Sequence, residues 1–168
     1  DHGYRRYIHL GTGNYHPRTT RFYTDFGLLT ANTEIGDDVN EVFKQLTGLG
    51  KATALKHLWQ APFSLHPRML EAIRGEIDAA RAGHPARIIA KMNSLLEPEI
   101  IEALYDASAA GVTIDLIVRG VCSLRPGVKG LSENIRVRSV IGRFLEHHRI
   151  FYFHGGGRQD IYLSSADW

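Results

Sequence analysis

Cysteine is almost absent from this sequence of 168 residues, in which Cys122 is the only one. A single thiol cannot form an internal disulfide, and such usage is typical of proteins in a reducing compartment. The histidines and the cysteine do not cluster at the spacing of a zinc site. No apolar run is long enough to cross a bilayer as a helix. These absences argue against a disulfide scaffold, a zinc module and a membrane-spanning protein.

Two catalytic signatures are also missing. The chain has no Gly-x-Ser-x-Gly elbow, which argues against an α/β-hydrolase. The glycine-rich turn at residues 11–14 is followed by no Gly-Lys-Ser/Thr, so it is not the phosphate loop of a Walker NTPase. Its backbone N–H groups can still contact an anion, although most stretches of this kind are only turns.

Charge is what the sequence does have, and it is unevenly placed. Apolar residues make up 43% and charged residues 23% of the chain, which is typical of a globular protein, and the net charge is +2. Between residues 119 and 149, however, only Glu133 and Glu146 oppose a set of basic side chains. That set is Arg119, Arg125, Lys129, Arg136, Arg138, Arg143 and Arg149. Such a segment indicates a discrete site for a polyanion.

The pattern of apolar residues predicts an α/β protein with a mixed sheet. Predicted strands occupy residues 4–10, 55–60, 87–92, 112–118, 135–141, 149–153 and 159–163. Predicted helices occupy residues 33–46, 66–81 and 97–110. A strand, a helix and a second strand between residues 87 and 118 indicate a parallel pair. The triple glycine at 155–157 predicts a hairpin turn.

The first candidate for chemistry is His147, which precedes an apolar strand together with His148 and Arg149. A histidine beside a basic residue at the mouth of a strand can bind phosphate, transfer a proton or accept a phosphoryl group. A plain surface pair of histidines is the alternative. Strand alternation places His147 and Arg149 on one face and His148 on the other, so the two histidines should have different roles.

The second candidate is Arg119, which directly follows a buried-type strand. A guanidinium at that end of a parallel strand suits bidentate contact with phosphate, and a salt bridge to a helix acid is the alternative. Tyr23 lies in an aromatic, apolar run that also contains Asp25. Its ring can stack on a base or pack in the core, and composition alone favours the core.

Taken together, these segments closely resemble the bacterial polyphosphate kinases whose catalytic part consists of two phospholipase-D-like domains. The matching segments are HLGTGNY at 9–15, YTD at 23–25, VRGVCSL at 118–124, LEHHR at 145–149 and YLSSADW at 162–168. The resemblance implies a phospholipase-D-like mixed sheet flanked by helices. It also implies that residues 1–59 are the tail of a first, truncated catalytic domain and residues 60–168 the second.

The resemblance further implies reversible transfer of the terminal phosphate of ATP to inorganic polyphosphate through a phosphohistidine, with Mg²⁺. In the family, Tyr23, Arg119 and His147 correspond to positions that contact ATP, and His147 also acts on the transferred group. The implied partners are ATP, ADP and polyphosphate rather than nucleic acid. A cytoplasmic location, a homo-oligomer and peripheral membrane association of the intact enzyme are further expectations.

One departure from the family pattern limits this prediction. The phosphorylated histidine and the residues associated with magnesium belong to segments upstream of Asp1. We therefore expect a C-terminal fragment without activity of its own, whose first strand lacks neighbours and favours self-association or disorder. Two alternatives remain: a phospholipase-D-like phosphodiesterase or nuclease, for which Arg149 stands where a lysine is needed, and a non-catalytic polyanion-binding module.

Overall fold

Two sheets of unequal size carry the fold of this chain, whose computed structural model describes residues 4–48 and 54–168. The strands are β1 (Ile8–Gly11), β2 (Gly27–Thr30), β3 (Arg87–Met92), β4 (Thr113–Val118), β5 (Ile135–Arg138), β6 (Arg149–Phe153) and β7 (Asp160–Ser164). The helices are α1 (Thr33–Leu46), α2 (Leu65–Arg81) and α3 (Pro98–Ala109). The three predicted helices are confirmed to within one residue at each end.

The small sheet is an antiparallel pair of β1 and β2, followed by α1. Asn32 caps α1, because its Oδ1 accepts a hydrogen bond from the N–H of Ile35 at 3.0 Å. The predicted strand at 4–10 was too long at its start: residues 4–7 are exposed, and the ladder with β2 begins at Ile8. Within the described residues β1 pairs with β2 alone. Self-association through this strand stays a prediction.

The predicted strand at residues 55–60 is wrong. The segment is irregular, because its backbone bonds to a side chain and not to another strand. The carboxylate of Asp38 accepts the N–H groups of Lys56, His57 and Leu58 at 3.0, 2.6 and 2.9 Å. Burial disfavours the ionised form, but these three N–H donors outweigh it and hold the pKa of Asp38 below its usual value. A carboxylate on α1 therefore fixes the segment that leads to α2.

The large sheet has the strand order β5-β4-β3-β6-β7. Strands β3, β4 and β5 run parallel, and β6 and β7 are antiparallel to their neighbours, so the mixed α/β sheet is confirmed. The strand predicted at 135–141 is shorter in the structure, where β5 ends at Arg138. Its hydrogen-bonded ladder with β4 stops at the pair Arg138 and Ile117, one residue before the end of β4. The last strand begins at Asp160 and not at 159, since Gln159 has a φ of 61°.

The helices α2 and α3 bury one face of this sheet. Ile73 of α2, Leu104 of α3, Ile88 of β3, Ile114 of β4 and Phe151 of β6 are each 0% exposed. Complete burial of such a side chain contributes about 1.5–3 kcal/mol, so this layer supplies most of the packing. Among the described residues, no helix combines the length and the apolar character needed to span a membrane.

One charged residue lies inside this layer. Glu76 of α2 is 1% exposed, and its carboxylate accepts the N–H of Arg87 at the start of β3 and the N–H of Gly155 in the turn after β6. The hairpin turn predicted at 155–157 is confirmed as a short connection between β6 and β7. Glu76 thus ties that connection, at the edge of the sheet far from Arg119, to helix α2.

Candidate functional site

The topology brings the candidate residues to one edge of the large sheet. Because β3 and β4 are parallel and β6 is antiparallel, the ends of β3 and β4 lie beside the start of β6. Asn93 follows β3, Arg119 follows β4, and His147 and His148 precede β6. The carboxyl end of parallel strands is where open α/β sheets bind ligands.

Arg119 is held by a neighbouring amide. Its Nε and Nη2 donate to Oδ1 of Asn93 at 3.0 and 2.6 Å. The alternative that Arg119 pairs with a helix acid is therefore wrong for the described chain. Its Nη1 is buried and has no hydrogen-bond partner among the described residues, and a buried donor of this kind is costly unless something accepts from it. Asn93 therefore fixes the guanidinium, and Nη1 is left without an acceptor among the described residues.

A carboxylate links this pair to the start of β6. Asp167 accepts the N–H of Asn93 at 2.8 Å and the Nε–H of Arg149 at 2.9 Å. Arg149 also donates to the carbonyl oxygen of His147 at 2.8 Å. Burial opposes the ionisation of Asp167, but the hydrogen bonds from Arg149 and Asn93 outweigh it and lower its pKa. Arg149 thus connects Asp167 to the backbone of His147, and Asp167 neutralises its charge.

His147 is oriented by a residue from the small-sheet half of the chain. Its Nδ1 lies 2.8 Å from Oδ1 of Asp25, and the two side chains are only 11% and 21% exposed. Asp25 in turn accepts from the hydroxyl of Thr12 at 2.8 Å. A carboxylate on Nδ1 favours the tautomer that carries a proton there, which leaves Nε2 as the atom able to exchange a proton.

The glycine-rich turn at 11–14 has a role that differs from the anion cradle considered from the sequence. Thr12 is 4% exposed, and its N–H is used by the carbonyl of Phe26. Its hydroxyl bonds to Asp25 and to the N–H of Phe26. A Cβ on Gly13 would lie 2.8 Å from a carboxylate oxygen of Asp25, so the close approach requires glycine. The turn supports Asp25.

Tyr23 is not in the core, and the prediction from composition is wrong. The residue is half-buried, and its ring lies against the ring of His147 with centroids 4.8 Å apart. Its backbone pairs with Leu145 in an isolated parallel bridge. The two chain segments that carry Tyr23 and His147 therefore meet directly.

His148 has different partners from His147, as the alternation predicts. Its Nδ1 lies 3.1 Å from the hydroxyl and 3.0 Å from the carbonyl oxygen of Thr24. Its Nε2 lies 3.0 Å from Nζ of Lys91 on β3, and its ring meets Phe26 edge-on. His148 joins the sheet to the 22–26 segment and does not share the position of His147.

The three predicted side chains line neither of two cavities that lie elsewhere in the described chain. The larger, of about 480 Å³, lies between the β1–β2 sheet and β7 and includes Thr12, Phe26, Trp59 and Ser164. The smaller, of about 380 Å³, lies at the far end of β6 near Gly155. Tyr23 contacts His147 directly, whereas Arg119 is connected to His147 through Asn93, Asp167 and Arg149.

Several residues of this edge escaped the sequence reasoning. Asn93 and Asp25 had no assigned role, and Thr12 and Lys91 were not singled out. Asn93 carried a usable signal, since it directly follows a parallel strand and so had to lie beside Arg119. Asp25 carried none, because its partner His147 is 122 residues away along the chain.

Magnesium finds no ligand set in the described part of the chain. No group of three or more His, Cys, Asp or Glu side chains there is arranged to hold a metal ion. The carboxylates of this edge, Asp25, Asp167 and Glu146, are already engaged by His147, Arg149 and Lys91. The residues present therefore do not fit this ion.

Comparison with known proteins gives concordant matches. A family model described as polyphosphate kinase C-terminal domain 2 matches residues 58–168, and one described as C-terminal domain 1 matches residues 1–52. Proteins named polyphosphate kinase from Burkholderia cenocepacia (strain HI2424) and Burkholderia vietnamiensis (strain G4 / LMG 22486) are each 70% identical over 164 residues, which is 98% of this chain and 24% of theirs.

A solved structure agrees with these matches. The crystal structure of polyphosphate kinase from Porphyromonas gingivalis matches with a TM-score of 0.91 and 40% identity, over 98% of this chain and 27% of that chain. The present chain spans about a quarter of the length of the relatives it matches.

Proposed function

From the premise that this chain belongs to the polyphosphate kinase family, we propose that it forms part of an enzyme that transfers the terminal phosphate of ATP reversibly to polyphosphate. The observation that supports this most is that Arg119 and His147 lie at the same edge of the large sheet, with Tyr23 against His147. Phosphoryl transfer needs positioned positive charge and a proton-exchanging group, and it needs little other chemistry from the protein.

In this proposal each side chain has a separate task. Arg119, fixed by Asn93, provides its guanidinium charge to a phosphate of the nucleotide. Tyr23 packs beside His147 and offers a ring for contact with ATP. His147, with Asp25 on its Nδ1, exchanges a proton with the transferred phosphate through Nε2. The exposed arginines between residues 119 and 149 neutralise the polyphosphate chain.

The remaining features belong to the intact enzyme and rest on its family. In this proposal the phosphorylated histidine and the ligands of Mg²⁺ come from parts of the intact enzyme other than these 168 residues. When bound, Mg²⁺ would neutralise phosphate charge. The 168-residue chain alone is then inactive. We also propose that the intact enzyme is a cytoplasmic homo-oligomer that associates peripherally with a membrane. Residues 1–59 would belong to its first phospholipase-D-like catalytic domain and residues 60–168 to its second.

The test compares Arg119→Ala and His147→Ala with Arg81→Ala, an exposed arginine in the last turn of α2, in the full-length enzyme. ATP affinity is measured by calorimetry, and polyphosphate formation is measured with Mg²⁺ present. Removing a charged hydrogen bond of about 1.5–3 kcal/mol lowers ATP affinity by about 10- to 150-fold in Arg119→Ala. His147→Ala lowers turnover, and Arg81→Ala changes neither.

Other outcomes favour the alternatives. If Arg119→Ala weakens only the binding of other polyanions and leaves the affinity for ATP unchanged, the site is a polyanion-binding module. Cleavage of a phosphodiester by the intact protein, with no polyphosphate formed, favours the phospholipase-D-like phosphodiesterase. Turnover of ATP into polyphosphate by the 168-residue chain alone would disprove the inactive-fragment prediction.

A further inference from the structure

A largely buried lysine side chain contacts the residues on either side of His147. Lys91 is on β3, two residues before Asn93, and its side chain is only 12% exposed. Its Nζ lies 3.1 Å from Oε2 of Glu146, 3.0 Å from Nε2 of His148 and 3.3 Å from the carbonyl oxygen of His148. An ammonium group has three donor hydrogens, so these contacts use all of them.

The partners of Lys91 flank His147 in the chain. Glu146 precedes it and His148 follows it, so the ammonium group of Lys91 binds the residues on both sides of this histidine. The contact also fixes the state of His148. Since an ammonium group only donates, Nε2 of His148 accepts, and its Nδ1 carries the proton that is donated to the carbonyl of Thr24.

The burial of this charge is not explained by stability. Burial lowers the pKa of Lys91, and Glu146 offsets only part of that effect. A buried ion pair can often be replaced by apolar residues at no loss, or even at a gain, in stability. Arg119 repels and Asp25 attracts the Lys91 charge, so the lysine is electrostatically coupled to the residues of the site.

We propose that Lys91 is a positioning residue for His147, which it holds against Asp25 by fixing Glu146 and His148 on either side. Asp25, from the small-sheet half of the chain, orients the imidazole of His147. Lys91, on the large sheet, holds the backbone of the His147 segment in place. The effect on turnover rests on the proposed function, whereas the effect on the environment of His147 does not.

The experiment replaces Lys91 by Met in the full-length enzyme and uses Lys44→Met as the matched control. Lys44 lies on α1 and pairs with Glu41. The first readout is the split between kcat and KM for ATP. The second is the rate at which diethyl pyrocarbonate modifies His147, followed by peptide mass spectrometry, which needs no activity.

For Lys91→Met we expect kcat to fall by about tenfold or more, because a displacement of about 1 Å can cost up to about 100-fold. KM for ATP stays within about threefold, since Arg119 keeps its partner Asn93. The modification rate of His147 rises by at least about threefold as its segment loosens. In Lys44→Met all three quantities stay at the wild-type values.

Unchanged kcat and an unchanged modification rate in a folded Lys91→Met enzyme would overturn the proposal. Wild-type enzyme that makes no polyphosphate would instead overturn the proposed function, and the modification rate alone would then decide on positioning. If Lys91→Met does not fold, Lys91→Leu, which also has no donor, is measured in the same way. Its wild-type kcat together with a wild-type modification rate would again reject the proposal.

Discussion

Replacing Asp25 by Asn tests how His147 is oriented. The carboxylate lies 2.8 Å from Nδ1 of His147 and also accepts from the hydroxyl of Thr12 at 2.8 Å. An amide of the same size keeps the packing but can turn its NH₂ toward either partner. If it faces Nδ1, it forces the opposite tautomer and places the imidazole proton on Nε2.

The expected loss follows from the type of bond. A hydrogen bond to a charged group contributes about 1.5–3 kcal/mol, which corresponds to about 10- to 150-fold in kcat if the bond matters in the transition state. Both side chains are less than a quarter exposed, at 11% and 21%, so solvent screens the interaction only in part. We expect kcat to fall by about 30-fold, within this range. ATP affinity changes little, because Arg119 is untouched.

The assay is polyphosphate formation from ATP by the full-length enzyme, with its pH profile. Asp37→Asn is the control, since Asp37 is an acid on α1 whose side chain is 71% exposed. If Asp25→Asn retains at least half of the wild-type kcat and an unshifted pH profile, then Asp25 does not orient a catalytic imidazole and the reasoning fails.

Three further predictions concern the supports of the fold and site. Asn93→Ala frees the guanidinium of Arg119, so the Kd for ATP should rise by about tenfold; an unchanged Kd in calorimetry would contradict this role. Asp38→Asn should lower the free energy of unfolding by about 2–3 kcal/mol at neutral pH in denaturant titrations, and a loss below about 0.5 kcal/mol would refute it. The pKa of Asp38 is lowered by folding, so the stabilisation by its carboxylate is present above the unfolded value of about 3.9 and is lost as the pH falls through the folded value. The free energy of unfolding of the variant should therefore fall less steeply with decreasing pH in the acid range. Glu76→Ala should destabilise by about 3 kcal/mol, since two backbone N–H groups lose their acceptor; thermal unfolding checks this, and a stability equal to the wild type would count against it.

Much of the large sheet could be predicted from local patterns. Strands β3 and β6 have the predicted bounds because their apolar runs are bordered by clear turns. The parallel pair β3–β4 follows from the helix between them, and that topology places Arg119 at the end of β4, beside the start of β6. Family resemblance supplied the functional reading, since the residues alone left His147 open to a surface role.

The remainder depends on contacts between distant parts of the chain. Residues 55–60 have the composition of a strand, but the carboxylate of Asp38 takes the backbone N–H groups that a ladder would have used. Tyr23 looks like a core residue, yet it lies against His147 because the 22–25 segment pairs with residues 145–148. No local pattern encodes a pairing across more than 120 residues.

The most direct measurement is a crystal structure of the full-length enzyme with a non-hydrolysable ATP analogue. We expect phosphate oxygens within hydrogen-bonding distance, about 3 Å, of both the guanidinium of Arg119 and Nε2 of His147. A nucleotide bound elsewhere, with both side chains still far from any phosphate, would contradict the claim that this edge of the sheet is the site of phosphoryl transfer.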